Sequence, residues 1–219
     1  MAMNFDQARQ NMVENQVRPW EVLDARVLDV LGRVRREEFV APAHRQLAFA
    51  DLCLPLGHGE VMMKPVLEGR VLQALALKPQ DQVLEIGTGS GFLTACLASL
   101  AAHVTSVDMH PDFTAAAGQR LKAAGIENAE LVTGDAVNAW QPQGSFDAVV
   151  VTGAVYRIPD RFLGWLKPGG RLLAIRGESP VQQVLVLTHE GNGRYREESL
   201  LETDLPYLAH AEPPRRFVF

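Results

Sequence analysis

The 219-residue chain is 47% hydrophobic and 21% charged, enough for one sizeable core, and no Pro/Gly/Ser-rich linker divides it. A net charge of −5 argues against a nucleic-acid partner, no apolar run approaches the ~18 residues of a membrane span, and MAMNFDQARQ lacks the basic and apolar regions of a secretion signal. The expectation is a cytoplasmic protein whose two cysteines, Cys53 and Cys96, are reduced and buried, and whose six histidines, lacking ligand spacing, imply no metal.

Phe5, Ala8, Met12 and Val17 fall near helical spacing, which predicts an amphipathic helix from about Asp6 to Gln16, ending before Pro19. Asp24 caps a second helix with Val27, Leu28, Leu31 and Val34 on its apolar stripe. Arg33, Arg35 and Arg36 beyond it make the densest basic patch, read as a solvated helix end. From Arg35 to Glu60 periodicity is lost and Pro42, Pro55, Gly57 and Gly59 intervene. This reads as an extended, loop-rich stretch of a length that is usually functional. Pro65 opens a third helix, with Val66, Leu67, Val71, Leu72 and Leu75 on its buried face.

Val83, Leu84 and Ile86 form the apolar run of a strand covered on both faces. Gly87, Gly89 and Gly91, alternating with Thr88 and Ser90, then allow positive φ and close approach of a ligand, and a helix carrying Phe92, Leu93, Ala95, Cys96, Leu97 and Leu100 follows. A second strand, Val104 to Val107, ends at Asp108, roughly 20 residues beyond the turn, where an acid accepts hydrogen bonds from ribose hydroxyls. His110 and Pro111 stand between it and the next helix, which argues against a capping role.

That helix carries Phe113, Ala116, Ala117 and Leu121 and ends at Gly125. Leu131 to Thr133 form a third strand, followed by Gly134 and by Asp135, which either reaches an adenine or stabilises its own turn. A fourth strand holds Phe146, Asp147, Ala148, Val149, Val150 and Val151, and Thr152 to Ile158 lie beside the reactive end of a cofactor. A helix from about Pro159 to Leu166, a turn at Lys167 to Gly170 and a fifth strand from Arg171 to Ile175 follow. Val184–Thr188 and Arg194–Leu200 flank Gly191, Asn192 and Gly193 as a hairpin that closes the sheet. The tail, with Pro206, Pro213 and Pro214 and the apolar end Phe217, Val218 and Phe219, reads as docked.

The spacing E-x-G-x-G-x-G from Glu85 resembles motif I of the class I S-adenosylmethionine (SAM) methyltransferases. A dinucleotide fingerprint would place glycine where Phe92 stands, which disfavours a nicotinamide oxidoreductase. VRREEFVAP, LAFADLCLPLGHGE, VLEIGTGSGFLTACLA and FDAVVVTGAVYRIPDRFLGWLKPGGRLL narrow the likeness. Together they resemble protein-L-isoaspartate O-methyltransferases over roughly residues 5 to 190.

The resemblance implies an α/β, Rossmann-like class I methyltransferase fold: a doubly wound, mostly parallel sheet with a C-terminal antiparallel hairpin and an N-terminal helical and loop extension. One domain spans 1–219, with 1–78 as the substrate-side extension and 79–219 as the SAM-binding core. The implied cofactor contacts are Glu85, Gly87, Thr88, Gly89, Ser90, Gly91, Asp108, Met109, Gly134, Asp135, Ala136 and Thr152. The implied acceptor is the isoaspartyl carboxylate of a damaged protein or peptide.

Two stretches depart from the family. Where its members carry Gln-Thr-Ile-Ser-x-Pro, this chain has VMMKP, which puts Met63 at the substrate-site hydroxyl and leaves Lys64 as a candidate substrate-side cation. The end RFVF, Arg216 to Phe219, replaces an Arg-Phe-Val-Pro-Leu-type segment. A carboxylate acceptor is already ionised at neutral pH and needs no base, so a lost hydroxyl bears on orientation alone. A divergent methyltransferase with another acceptor and a SAM-binding module without catalysis stay open as alternatives.

Overall fold

The computed structural model describes residues 3–214. Helix α1 (Phe5–Met12) starts at Asn4, whose side chain accepts a hydrogen bond from the Gln7 amide at 3.1 Å. The chain does not break before Pro19. A π turn (Val13–Val17) and a 3-10 turn (Arg18–Trp20) carry it on, because Pro19 falls in the first turn of the last segment, where its missing N–H is not needed. Asp24 caps α2 (Ala25–Arg33) as expected, accepting from the Arg26 amide at 2.9 Å.

The stretch expected to be loop-rich is largely structured. It holds two 3-10 segments (Arg36–Glu38 and Pro42–Leu47) and a hairpin of β1 (Leu54–Gly57) and β2 (Glu60–Met62). Its two-residue turn has His58 at φ 53 and Gly59 at φ 83, the double positive φ of the hairpin turn that matches strand twist. Helix α3 (Pro65–Leu75) then buries every residue expected on its inner face.

Two surface expectations are overturned here. Arg36 is not solvated but fully buried, donating to the carbonyls of Ala48 and Met63 at 2.7 Å each, pairing with the buried Glu68 and covering the Phe92 ring at 4.8 Å. Cys53 is exposed, whereas Cys96 is buried as expected. The family of buried cations also includes Arg9, whose guanidinium bridges the Glu37 carboxylate at 2.7 and 3.0 Å.

The sheet is built from β3 (Gln82–Ile86), β4 (His103–Asp108), β5 (Ala129–Thr133), β6 (Phe146–Val155), β7 (Leu166–Glu178), β8 (Val181–Gly191) and β9 (Arg194–Thr203). Their order is β5-β4-β3-β6-β7-β8-β9, parallel from β5 through β7 and antiparallel in the last two pairings. Helices α4 (Phe92–Ala98), α5 (Pro111–Ala123) and α6 (Asp160–Gly164) connect the parallel strands. The chain moves outward from β3 to β5 and then returns to the other side of β3 with β6. The crevice at the carboxyl ends of β3 and β6 is therefore the topological switch point, where such sheets bind ligands.

Local differences have identifiable causes. Pro111 opens α5 rather than separating it from the strand, again as a first-turn proline. Helix α6 is shorter than expected, because Trp165 already faces the core and Leu166 pairs with Phe146. Lys167 to Gly170 form an irregularity within β7, with the register jumping from Leu166 to Arg171. The hairpin turn is Asn192 (φ 53) and Gly193 (φ 70), closed by the Gly191–Arg194 pair. Buried residues of both sheet faces form two cores, one continuous with α1, α2 and α3 and the other under α6.

Beyond β9 the chain returns to the crevice. The Ala154 amide donates to Pro206 O at 2.9 Å, the Leu208 amide to Ala154 O at 2.7 Å, and the Tyr156 amide to Ala211 O at 2.8 Å. The tail is thus docked as far as it is described. Phe217, Val218 and Phe219, with the Arg216 to Phe219 segment, lie outside the described residues.

Candidate active site

The glycine turn owes its shape to its neighbours. Gly87, Gly89 and Gly91 take φ of 99, 49 and 83, a region that penalises any Cβ. A Cβ on Gly87 would lie 2.2 Å from Thr152 Oγ1, and one on Gly91 would lie 2.9 Å from Ala117 Cβ. Thr152 Oγ1 also donates within the turn, lying 2.7 Å from Gly87 O. Asp108 fixes the other side, with one carboxylate oxygen accepting from the Gly89 amide and the other from the His110 amide, both at 2.9 Å.

These groups wall a cleft of about 560 Å³, open solvent at its mouth included. That size suits a nucleoside-sized ligand. Of the expected contacts, Gly87, Gly89, Asp108, Met109, Gly134, Asp135, Ala136 and Thr152 lie on its wall. Of the two roles considered for Asp135, the structure shows the turn-stabilising one, with hydrogen bonds accepted from the Val137 and Asn138 amides at 3.0 and 3.1 Å, and the residue also lines the cleft. Burial pulls its pKa upward, but hydrogen bonds from Asn138 and His210 outweigh this and leave it below the usual carboxylate value.

Other expected contacts lie behind the wall. Glu85 is fully buried beneath the turn. One carboxylate oxygen accepts from Ser106 Oγ at 2.6 Å and from Thr94 Oγ1, while Oε1 has no partner among the described residues. Burial raises its pKa to about 8, against the two hydroxyls that lower it. Thr88 continues this chain through Ser106 Oγ at 2.7 Å, and Ser90 Oγ accepts from the Phe92 amide at 3.2 Å at the start of α4. Glu85, Thr88 and Ser90 are buried supports of the turn.

The Met63 side chain, one residue beyond β2, is 5% exposed and packs in the core, off the cleft wall. Lys64 Nζ stands 4.0 Å from Asp51 Oδ2, also off the wall. From this hairpin the groups on the wall are Leu56, Glu60 and Val61. Sequence reasoning missed them, as it missed Leu208 and Ala209 of the docked tail. The hairpin had a signal in its paired strand residues around His58 and Gly59; the tail had none.

His58, His110 and Asp112 also come together at the rim, with possible ligand atoms within 4.8 Å of one another. His58 Nε2 lies 3.0 Å from Asp112 Oδ2, and the His58 ring stacks on His110 at 4.1 Å and 5°. Parallel rings hold their in-plane lone pairs side by side, not toward one point. The contact ties the hairpin tip to the start of α5.

The comparisons agree with this geometry. The sequence profile of the protein-L-isoaspartate (D-aspartate) O-methyltransferase family matches residues 7–207. The chain belongs to this family. It is 38% identical over 179 residues to the protein-L-isoaspartate O-methyltransferase of Methanoculleus marisnigri, covering 82% of this chain and 81% of that one. It is 34% identical over 198 residues to that of Brucella anthropi, covering 90% and 91%. A Plasmodium falciparum protein-L-isoaspartate O-methyltransferase structure in complex with S-adenosyl-L-homocysteine shares the fold, with a TM-score of 0.78 at 18% identity over 91% of this chain and 97% of that one. No helix of the described residues is long and apolar enough to cross a membrane.

Proposed function

We propose that the protein transfers the methyl group of SAM to the carboxylate of isoaspartyl residues in damaged proteins. The observation that carries this reading is the cleft at the switch point of β3 and β6, walled by Gly87, Gly89 and Asp108 in a member of this family. The residues fit the cofactor: glycines with no Cβ to fill the cradle, and an acid at the end of β4 for ribose hydroxyls. When bound, SAM supplies an electrophilic methyl on a sulfonium.

The protein's part is positioning, because an in-line displacement by an ionised carboxylate needs no base. Gly87, Gly89, Asp108, Met109, Gly134, Asp135, Ala136 and Thr152 are the proposed cofactor contacts, and Glu85, Thr88, Ser90 and Gly91 shape the turn behind them. Residues 79–219 act as the SAM-binding core and 1–78 as the substrate-side extension, whose β1–β2 hairpin lines the cleft through Leu56, Glu60 and Val61. Ile86, Val107 and Leu208 give the cleft apolar stretches of wall.

The test is methyl transfer from radiolabelled SAM to an isoaspartyl peptide, with the aspartyl peptide of the same sequence as control. Base-labile label on the first peptide alone is expected. Tight SAM binding with no label on either peptide would refute the assigned acceptor.

A further inference from the structure

We propose that the β1–β2 hairpin is a lid over the cofactor cleft, clasped at its tip by His58, and that opening of this clasp admits SAM and releases S-adenosylhomocysteine. This rests on the cofactor cleft assigned above and is independent of the acceptor. Besides the main sheet and its turns, two segments wall the cleft: the hairpin through Leu56, Glu60 and Val61, and the tail through Leu208 and Ala209. They are attached differently. Backbone hydrogen bonds tie the tail down, from the amides of Ala154 and Tyr156 to Pro206 and Ala211 and from the Leu208 amide to Ala154. Among the described residues no backbone hydrogen bond joins Leu54–Met62 to another element, and β1 and β2 pair only with each other.

The hairpin is fixed at its base and lightly held at its tip. The paired residues Leu54 and Met62 are buried in the core. Beyond them the register shifts between Pro55 and Gly57, an irregularity that interrupts the ladder and gives the strand a place to bend. Leu56, at that point, lies against the glycine turn, where a Cβ on Gly89 would come within 3.0 Å of its Cδ1. The tip rests on the start of α5 through side chains. His58 Nε2 donates to Asp112 Oδ2 at 3.0 Å, the His58 ring stacks on His110 at 4.1 Å, and the Phe113 ring meets it edge-on at 5.3 Å. His110 and Phe113 belong to the cleft wall and His58 does not, so His58 holds the lid without lining the cleft. The clasp opens readily, because the His58 and Asp112 side chains are 45% and 62% exposed and water replaces their bond at little cost. Local opening and the movement of active-site lids start from contacts of this kind.

The consequence is kinetic. A fixed wall that touches the ligand acts on its off-rate, whereas a lid that gates the cleft scales entry and exit together. Weakening the clasp raises the open fraction of the empty and of the loaded protein by the same factor. While both stay mostly closed, Kd does not move.

The experiment measures association and dissociation of S-adenosylhomocysteine by surface plasmon resonance for the wild type, His58→Phe, His58→Ala, Asp112→Ala and the double variant His58→Phe/Asp112→Ala, with Tm in parallel. His58→Phe keeps a ring on His110 and loses the bond to Asp112, so it and Asp112→Ala should each raise both rates by about two- to fivefold. The double variant should match the single ones, because all three lack the same bond. His58→Ala loses the stack as well and should raise both rates by about five- to twentyfold, with Kd within about twofold of the wild type. Wild-type rates in all the variants overturn the proposal. So does a faster off-rate with an unchanged on-rate, which would make the hairpin a fixed wall. If His58→Ala fails to fold, His58→Phe and Asp112→Ala carry the same test. A wild type that binds no S-adenosylhomocysteine removes the cofactor cleft, and the lid falls with it.

Discussion

Replacing Glu85 with Gln should stabilise the protein, and increasingly so as pH rises. The carboxyl is fully buried, with Oε1 unpartnered and the other oxygen held by Ser106 and Thr94. Its pKa is raised from 4.5 to about 8, chiefly by burial. Between these values the folded protein keeps a proton that the unfolded chain releases, so stability falls as pH rises through this window and levels off above about 8. At pH 7 the loss is on the order of 3 kcal/mol, from about 1.4 kcal/mol per pH unit. Gln reproduces the shape of the protonated acid and does not titrate. Urea unfolding of both proteins at pH 5 and pH 8 reads the effect as a difference of differences. Glu68, raised to about 7 mainly by burial, titrates in both proteins and largely cancels, because its charge is the smallest of the influences on Glu85. A stability gap that is equal at the two pH values, or larger at pH 5, would refute the burial argument.

Asp108→Ala removes both the acid on the cleft wall and the anchor of the Gly89 and His110 amides, so calorimetry should show SAM and S-adenosylhomocysteine binding weakened by about ten- to a hundredfold. Arg36→Ala leaves the Glu68 carboxylate buried without its partner and should cost about 3–5 kcal/mol in denaturant unfolding; the double variant Arg36→Met/Glu68→Leu should recover much of that loss. Met63→Ser should lower stability by about 2–5 kcal/mol, read as a drop in Tm, without raising turnover of an isoaspartyl peptide, because the side chain packs in the core and not on the cleft.

The parts of the fold written in local chemistry were legible in the sequence. The apolar run Val83–Ile86 and the glycines after it read correctly because a strand covered on both faces and a turn at positive φ each restrict the residue types that fit. Asp24 and Pro65 marked helix starts for equally local reasons. Arg36 was misread because charge predicts exposure, and only tertiary packing supplies the Ala48 and Met63 carbonyls and the Glu68 carboxylate that satisfy it. Glu85 sits in the motif as if it touched ligand, yet Thr94 from α4 and Ser106 from β4 hold it beneath the turn. Neither partner is near it in sequence.

The same distinction separates what the cleft shares with other switch-point sites from what is particular to it. The floor comes from β3, β4 and β6, whose carboxyl ends converge whenever a sheet is wound this way. The walls facing it come from opposite ends of the chain: Leu56, Glu60 and Val61 from the β1–β2 hairpin, Leu208 and Ala209 from the docked tail. The two segments meet electrostatically, with Glu212 of the tail and Asp108 of the floor both acting on Glu60. On the function proposed above, choice of acceptor would fall to these segments outside the strand–turn–helix. The tail in turn is fixed by Gly153, where a Cβ would come within 3.1 Å of the Leu208 amide nitrogen. A side chain there would push against Leu208, which lines the cleft, and so would alter the wall that the tail contributes.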